Sequence, residues 1–564
     1  MDRRAFLKQS GIAASLPLAL SATGCAVTSV NDMPLPTVKR IPGTLSWVDG
    51  NAPDYQGGAT WGHPWAEGEL KKGQPLTLIS EQGTPIPLQS WPTAYWPDGS
   101  IKWTAHAIPA GSQPGEQFKI IKGKPASPKA AVSVVEQAGN VVVNTGVISL
   151  HIAKSGQDII SEMHRNGNVI GRSARLVGLV QDAPENTPES PASVTAFTSS
   201  VDAVTIEQQG PVRSVIKIEG KQTTESGRSW LPFTLRIYAY AGAETVKISH
   251  TFIYDGDDQK DFIRGLGLRF NVVQRDELYN RHIRFVGQND GLWGEGVKGI
   301  TGLRRDPGQS VRDAQIAGVA TPPLSEWDER VSSRMHYIPV WNDFTLSQLS
   351  ANGFAIRKRT KPGHAWIDSD QGQRANGATY IGGTSGGVLF GMRDFWQLHP
   401  VQVDVRNAGS DLAEATLWFW SPEAPAMDVR FYHDGMGQDT YDKQLDALNI
   451  IYEDYEPGFG SAYGVARTTD FTLGIMDSTP SREQTVAMAR YISQAPQVVA
   501  APQDYLNAGV FGGLWTLPDR SSPAKAAIED RLDFQVKYYC SQVDQRHWYG
   551  FWNFGDVMHT YDTV

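Results

Sequence analysis

Cysteine is almost absent from this chain of 564 residues, which contains only Cys25 and Cys540. If Cys25 belongs to a leader, as the start of the chain indicates, one cysteine remains on a predicted helix and no disulfide framework can form. The fold must therefore depend on its hydrophobic core. The length leaves room for roughly two to four domains of ordinary size.

An excess of positive charge is also absent. The formal net charge is -9, and no run of Lys and Arg forms the basic stripe that a nucleic-acid-binding protein needs. An anionic saccharide remains a suitable partner, because it needs only a local basic cleft. Glycine-rich loops that cradle phosphates are missing too, since Arg374-Ala-Asn-Gly and Ile381 to Gly387 join predicted strands and open no helix.

Residues 1–25 have the pattern of a twin-arginine export signal. Arg3 and Arg4 precede Phe-Leu-Lys and an apolar stretch too short and too rich in Ser and Ala to span a bilayer. Ser-Ala-Thr-Gly-Cys25 resembles a lipoprotein cleavage site, which would make Cys25 the lipidated residue and anchor the protein in the membrane. A plain signal peptide ending near Ala26 is the alternative. We expect export to the periplasm or cell envelope, with residues 26–40 as a tether.

Strand patterns dominate the next four hundred residues. Apolar residues alternate with polar ones over 233–239 and 246–254, which predicts an antiparallel hairpin. Further strands are predicted at 140–153, 211–221, 264–272, 333–345, 352–358, 387–393 and 413–420. We expect a central antiparallel β-sandwich over 131–476, preceded by a small tryptophan-rich β-barrel over 41–130.

Helix signals begin after Asp477. Ser478-Thr-Pro-Ser-Arg-Glu-Gln supplies a cap and a first turn, and Ser522-Pro523 opens a second helix whose apolar residues recur at helical spacing. Residues 477–564 are therefore predicted to form a separate helical region.

Five tryptophans lie between Trp61 and Trp103 among Pro, Gly, Asp and Lys, with Trp47 just upstream. A flat ring with a polar edge suits the apolar face of a sugar. Tryptophans between turns also commonly fill the ends of a β-barrel, and the sequence leaves both interpretations open.

The sequence of this region resembles that of the exo-rhamnogalacturonan lyase family of polysaccharide lyases. The resemblance lies in WGHPWAEGELKKG and in the later QSWPTAYWPDGSIKWTAHA. The resemblance continues in FIRGLGLRF at 262–270, PVWNDF at 339–344, GMRDFWQLHP at 391–400, WSPEAPAMDVR at 420–430 and the terminal RHWYGFWNFGD. It implies a third-domain α/α toroid, of which this sequence would carry only the beginning. It also implies β-elimination at a galacturonate in a rhamnose-galacturonate backbone.

Such a reaction needs a cation or amide that neutralises the uronate carboxylate and a base that removes the neighbouring proton. Four segments crowd suitable side chains into predicted turns. The catalytic candidates among them are His336, Arg393, His547 and Tyr549. The substrate-binding candidates are Lys102, Asn342, Trp396, His399, Trp548, Trp552, Asp556 and His559.

Each segment has a structural alternative. Arg393 and Asp394 could form a local ion pair, and the terminal aromatic cluster could be packing in a toroid. His250 shares a strand face with Ile248 and Phe252, which predicts a core histidine.

Two rival functions fit the same residues. One is a glycoside hydrolase that uses two carboxylates such as Asp394 and Asp556, and the other is a non-catalytic surface lipoprotein that binds glycans. No cofactor is expected. A calcium site near Asp255, Asp257 and Asp258 is a weak alternative to an acidic hairpin turn, because the spacing lacks the distal Glu of a calcium loop.

Overall fold

The computed structural model describes residues 38, 40–430, 442, 443, 446 and 462–552. Antiparallel strands make up most of these residues. The first domain contains β1 (Leu45–Trp47), β2 (Ala59–Pro64), β3 (Leu76–Ile79), β4 (Pro85–Ile86), β5 (Gln89–Tyr95), β6 (Ile101–Ile108) and β7 (Gln117–Lys122).

The tryptophans of this first domain divide into two groups. Trp47, Trp61 and Trp65 are buried in its core beside Phe118, so for these three rings the barrel-filling interpretation holds. Trp96 is only partly buried, and the Lys102 ammonium lies 4.5 Å from the centre of its ring. Lys102 therefore belongs to the surface of the first domain.

The central domain is a β-sandwich in which neighbouring strands pair antiparallel throughout. Its first ten strands are β8 (Ser133–Glu136), β9 (Asn140–Asn144), β10 (Ile148–Ala153), β11 (Ile160–Arg165), β12 (Asn168–Gln181), β13 (Val194–Gln209), β14 (Arg213–Thr224), β15 (Ser229–Tyr240), β16 (Thr245–Ile253) and β17 (Phe262–Val273). The next ten are β18 (Arg281–Val286), β19 (Leu292–Gly296), β20 (Asp343–Ser350), β21 (Gly353–Arg359), β22 (Ile367–Gly372), β23 (Thr379–Gly383), β24 (Gly386–Met392), β25 (Val401–Arg406), β26 (Leu412–Trp420) and β27 (Ala466–Met476).

The hairpin predicted from alternation is β15–β16. Phe233 lies opposite Phe252 and Ile237 opposite Ile248, and these residues are buried. His250 is 1% exposed and stacks on Phe419, and burial lowers its pKa to about 3. The prediction of a core histidine is confirmed.

The strand predicted over 333–345 is wrong for most of its length. Helix α2 (Glu329–Ser332) ends just before this segment. The segment contains a 3-10 turn at Met335–Tyr337, and β20 begins only at Asp343. Together with α1 (Gln309–Ala317) and a 3-10 turn at Leu324–Glu326, this segment forms an insertion between β19 and β20. Its apolar residues pack into a small cluster of their own around Trp327, which explains why a strand-like apolar pattern forms no strand.

The helix predicted after Asp477 is α3 (Arg482–Ser493), capped by Ser481, whose hydroxyl accepts the Gln484 N–H at 3.1 Å. It buries Met488 and Ile492 against Tyr380 and Leu389 of the sandwich. The helix thus covers a sheet and does not begin a helical domain. The chain then forms β28 (Val498–Ala500), which pairs with β1 of the first domain, and α4 (Pro502–Ala508).

Residues 518–546 form a separate compact unit. It contains α5 (Pro523–Gln545), which the Ser522 hydroxyl caps by accepting the Lys525 N–H. The predicted apolar residues Ile528, Leu532 and Val536 are on this helix and exposed. Among the described residues, no helix combines the length and the apolar character needed to cross a bilayer.

Candidate functional site at one end of the sandwich

The connection from β24 to β25 builds the centre of the site. The Arg393 N–H donates to Asp470 O at 2.9 Å, and the Leu398 N–H donates to Asp394 O at 2.9 Å, which folds the connection into a turn. Phe395 is buried beneath this turn and leaves no room at Gly377, where a Cβ would lie 2.2 Å from the Phe395 ring. The buried ring fixes the turn.

The terminal segment packs onto this turn. The Gly550 N–H donates to Gln397 O at 2.7 Å, and the Phe551 N–H donates to His399 O at 2.9 Å. The Phe551 ring is buried and meets Trp420 edge-on with ring centres 5.5 Å apart. These contacts place Tyr549 against Trp396, with ring centres 4.7 Å apart. The structure therefore brings together two segments that lie about 150 residues apart in the sequence.

Arg374, from the connection between β22 and β23, completes the cluster. Its guanidinium lies 4.2 Å from the Trp396 ring centre and 5.5 Å from that of Tyr549. Its Nε donates to Asn352 Oδ1 at 2.8 Å, which orients the planar group. We name Arg374, Trp396 and Tyr549 the end cluster.

A polar cavity of about 290 Å³ adjoins the end cluster. Arg374, Asp394, Trp396 and Gln397 line it on the side of the turn. On the other side lies Asp290, whose carboxylate pairs with Arg490 at 2.7 Å. An indole face, a guanidinium and several amide and carboxylate groups around one cavity match the composition of a saccharide site.

Arg393 and Asp394 are the charged side chains of this turn. Arg393 Nε lies 3.4 Å from the Asp394 carboxylate, so the local ion pair anticipated from the sequence is present, with both side chains more than two-fifths exposed. Burial, and secondarily the Asp470 charge, raise the pKa of Asp394, against the opposing effects of Arg393 and Arg467. Asp394 is therefore a carboxyl group that holds its proton more readily than usual.

The two histidines near the turn differ in exposure. His399 is partly buried, its Nδ1 has no hydrogen-bond partner, and burial lowers its pKa. His547 is exposed and has a left-handed backbone, with φ of 52°. His399 and His547 are close in sequence to Trp396 and Tyr549 respectively, but neither is among the residues that line the cavity.

The remaining terminal candidates fall into two groups. Trp548 is partly buried, whereas Trp552 packs against Phe551 and Phe252 at the edge of the core, which is a structural position. Asp556 and His559 lie outside the described residues.

His336 does not belong to this site. Lys298 donates hydrogen bonds to the carbonyl groups of Met335 and of Leu278, and Leu278 precedes β18. The first residue of β18 pairs with the last residue of β23, which in turn pairs with the first residue of β24. His336 is therefore near the beginning of β24. Arg393 follows the other end of β24, so the seven residues of that strand, about 20 Å, separate the two regions. His336 is exposed, and its ring lies tilted against that of Tyr337.

Asn342 also lies at the far end of the sandwich. Its side chain donates to Thr360 O at 2.7 Å and accepts the Gly409 N–H at 3.1 Å. Its amide is therefore used to hold the turn between β25 and β26, and a role in substrate binding at the end cluster is excluded by position.

The acidic loop considered for calcium is occupied by internal contacts. Asp255 accepts the Leu231 N–H at 2.6 Å, and Asp257 pairs with Lys260 at 2.6 Å. Asp258 accepts from the Gln259 side chain at 3.3 Å. A different group, His151, Glu162 and His164 on β10 and β11, places three ligand-type atoms within 4.8 Å of one another. Of the described residues, these three have the better arrangement for a metal ion.

The sequence does not identify Arg374 and Asp290 as site residues. In the sequence, Arg374 belongs to a glycine-containing turn, and Asp290 belongs to the Gln-Asn-Asp-Gly turn after β18. The only available signal was a charged residue within a polar turn, which many surface loops share.

Residues 132–490 match the PcRGLX-like protein central β-sandwich domain, nearly two-thirds of the chain. The chain belongs to the PcRGLX-like family. Residues 42–123 match the PcRGLX-like N-terminal RIFT barrel domain, and residues 495–564 match the C-terminal α/α toroid domain. The predicted fold class of barrel, sandwich and toroid is thereby confirmed.

Known proteins similar to this PcRGLX-like chain include the uncharacterized protein YetA of Bacillus subtilis, which is 34% identical over 522 residues. The alignment covers 92% of this chain and 59% of YetA, so the chain spans about three-fifths of the length of that relative. Among solved structures, an α-mannosidase from Enterococcus faecalis matches with a TM-score of 0.38 at 10% identity, covering 81% of this chain and 46% of the mannosidase. A putative aldose 1-epimerase from Escherichia coli K12 matches with a TM-score of 0.26 at 10% identity, covering 61% of this chain and 99% of the epimerase.

Proposed function

We propose that the protein is a polysaccharide lyase that cleaves a rhamnogalacturonan-type polysaccharide by β-elimination. The observation that carries the proposal is the end cluster, where a guanidinium, an indole face and a phenol meet beside a polar cavity. Membership of the PcRGLX-like family supports the substrate class.

Each member of the end cluster has a task in this reaction. The Arg374 guanidinium binds the uronate carboxylate through its planar fork and makes the neighbouring C–H more acidic. Tyr549 removes that proton as its phenolate, the electron pair forms the C=C bond, and the C–O bond to the leaving sugar breaks. The departing oxygen takes a proton, for which Asp394 is suited by its raised pKa. Trp396 offers an indole face to the sugar ring.

Tyr549→Phe tests the assignment of the base. The substitution removes one hydroxyl and keeps the ring contact with Trp396, so we expect elimination to fall at least a hundredfold with little change in oligosaccharide binding. The rate is measured as the near-ultraviolet absorbance of the unsaturated product. Tyr337→Phe is the matched control, because Tyr337 is 77% exposed in the insertion and should keep full activity. A Tyr549→Phe variant with normal turnover would remove Tyr549 from the mechanism.

A glycoside hydrolase is the second candidate, favoured by one observation. Burial raises the pKa of Asp394 in the wall of the cavity, which is the property of a general acid. A hydrolase releases reducing ends without an absorbing double bond, so measuring both signals on the same digest separates the two reactions. Binding without either product would favour the glycan-binding alternative.

We also propose export by the twin-arginine route with lipidation at Cys25. Both features lie in residues 1–37, outside the described residues, and the proposal is supported by the sequence pattern alone. Replacing Arg3 and Arg4 by Lys should leave the protein in the cytoplasm, because the signal is read by a receptor. Cys25→Ser should release the exported protein from membranes. Unchanged fractionation of either variant contradicts the corresponding half of the proposal.

A further inference from the structure

The cavity of about 810 Å³ on the outer face of the sandwich is separate from the end cluster. We name it the side cavity. It lies between β18 and β19, the insertion and the beginning of α3. The side chains used below are His282, Arg284, Glu295, Trp341 and Arg482. Its volume falls within the range of small-molecule sites, and none of its lining residues lines the cavity beside the end cluster.

Arg284 gives the side cavity a buried positive charge. The residue is 5% exposed, and its guanidinium donates to two carbonyl groups, Pro480 O at 2.5 Å and Ala317 O at 3.1 Å. Burial lowers its pKa. Within the described part of the chain, no carboxylate forms an ion pair with Arg284. A buried charge without a counter-ion is unfavourable, so an anionic ligand would stabilise this arrangement.

His282 offers a second binding group two residues along the same face of β18. It is 3% exposed, and its Nε2 has no hydrogen-bond partner. Burial and the nearby Arg284 charge lower its pKa to about 4, so the ring is neutral at pH 7. A buried imidazole nitrogen that lines a cavity and lacks a partner is available to a ligand.

The rest of the wall suits a saccharide. Trp341 lines the cavity, and the Lys358 ammonium lies 4.1 Å from its ring centre. Glu295 also lines the cavity and is paired with Lys358 at 2.5 Å, so its charge does not oppose an anion. Arg482 and the capped N-terminus of α3 contribute positive charge at the rim, where the carboxylate of Glu483 is also present.

We propose that the side cavity binds a carboxylate-bearing saccharide, with its carboxylate on Arg284 and His282 and its ring against Trp341. It would act as a second glycan site, which could hold an acidic chain while another part of it is cleaved. The choice of a uronate rests on the proposed function, whereas the anion-binding character rests on the side cavity alone.

The test is a calorimetric titration of the full chain with sodium galacturonate, using galactose as the uncharged control sugar. The parent protein carries Arg374→Ala and Trp396→Ala, so that the end cluster contributes no binding. We expect one-to-one binding of galacturonate that is at least tenfold tighter than that of galactose. In the same background, His282→Phe keeps the ring volume but removes Nε2, and Arg284→Gln removes the charge. Each should weaken galacturonate binding at least tenfold.

His364→Phe is the matched control, because His364 is an exposed histidine of the same domain and its loss should leave the affinity unchanged. If Arg284→Gln fails to fold, as judged by circular dichroism, His282→Phe still decides the result. Absence of binding, unchanged binding in His282→Phe, or equal affinity for galactose overturns the proposal. Inorganic phosphate that competes as well as galacturonate would reduce the side cavity to an anion site and overturn the saccharide assignment. Because these titrations measure no turnover, failure of the lyase proposal would leave their result standing.

Discussion

Two arginines reach the same end of the sandwich but meet different partners. Arg393 pairs with its neighbour Asp394, whereas Arg374 stacks on Trp396 beside Tyr549. Arg374 also lines the polar cavity beside the end cluster, whereas Arg393 is not among the residues that line it. Arg374 is therefore the stronger candidate for binding the uronate.

Arg374→Lys should lower kcat/KM on a pectic substrate roughly 30- to 1,000-fold, because a point charge cannot replace the planar fork. Arg393→Lys keeps a positive charge beside Asp394 and should lower kcat/KM by less than about tenfold. Initial rates of unsaturated product formation compare the two. Arg330→Lys, at a position 63% exposed on α2, serves as the control. If the order of the two effects is reversed, Arg393 is the residue that neutralises the carboxylate.

Part of the end cluster could be predicted from the sequence. The terminal run around Tyr549 and the turn around Trp396 each crowd rings and titratable groups, and the structure does bring these two segments together. His336 and Asn342 met the same criterion but lie at the opposite end of the sandwich. Composition identifies turns rich in functional groups, whereas the order and direction of the strands decide at which end of the sandwich a turn lies.

At the scale of elements, α3 shows what an amphipathic pattern predicts. The cap and the apolar face of this helix were visible in the sequence, but its partner was not. The pattern shows that one face is buried without showing whether a sheet or another helix covers it. Here the sheet of β18, β23 and β24 does so.

Met488→Ala should measure how much this packing stabilises the domain. Met488 is fully buried against Tyr380 and Leu389, so truncation should reduce the free energy of unfolding by about 2–5 kcal/mol. Urea denaturation followed by tryptophan fluorescence gives the value. Gln484→Ala, on the exposed face of the same helix, should change it by less than about 0.5 kcal/mol. Equal effects of the two substitutions would mean that α3 is not docked on the sheet.

At the scale of the whole molecule, four histidines are held neutral by burial. The pKa is lowered to about 4 for His63 and His282 and to about 3 for His106 and His250. In the unfolded chain these rings bind protons near pH 6.5. Between about pH 6.5 and 4, the unfolded state therefore binds more protons than the folded state, and stability must fall as the pH falls.

We expect the urea midpoint to decrease steadily from pH 7 to pH 5, a range in which exposed carboxylates remain ionised. His250→Phe should flatten this dependence, because the replacement ring can stack on Phe419 without a proton to gain. His364→Phe, which removes an exposed ring, should leave the slope unchanged. A midpoint independent of pH over this range would show that the buried rings are already protonated or are accessible to water.

The pairing of β1 with β28 can form only late in the synthesis of the chain. Leu45 lies opposite Ala500, so about 450 residues must be synthesised before the first strand meets this partner. At roughly 5–20 residues per second, that interval is about 20 to 90 s. The first domain described here is thus completed only after the sandwich strands have been synthesised, and a fragment cut near residue 130 would leave the β28 side of β1 unpaired. Until β28 has been synthesised, the backbone N–H and C=O groups on that side of β1 are open to pairing with another chain.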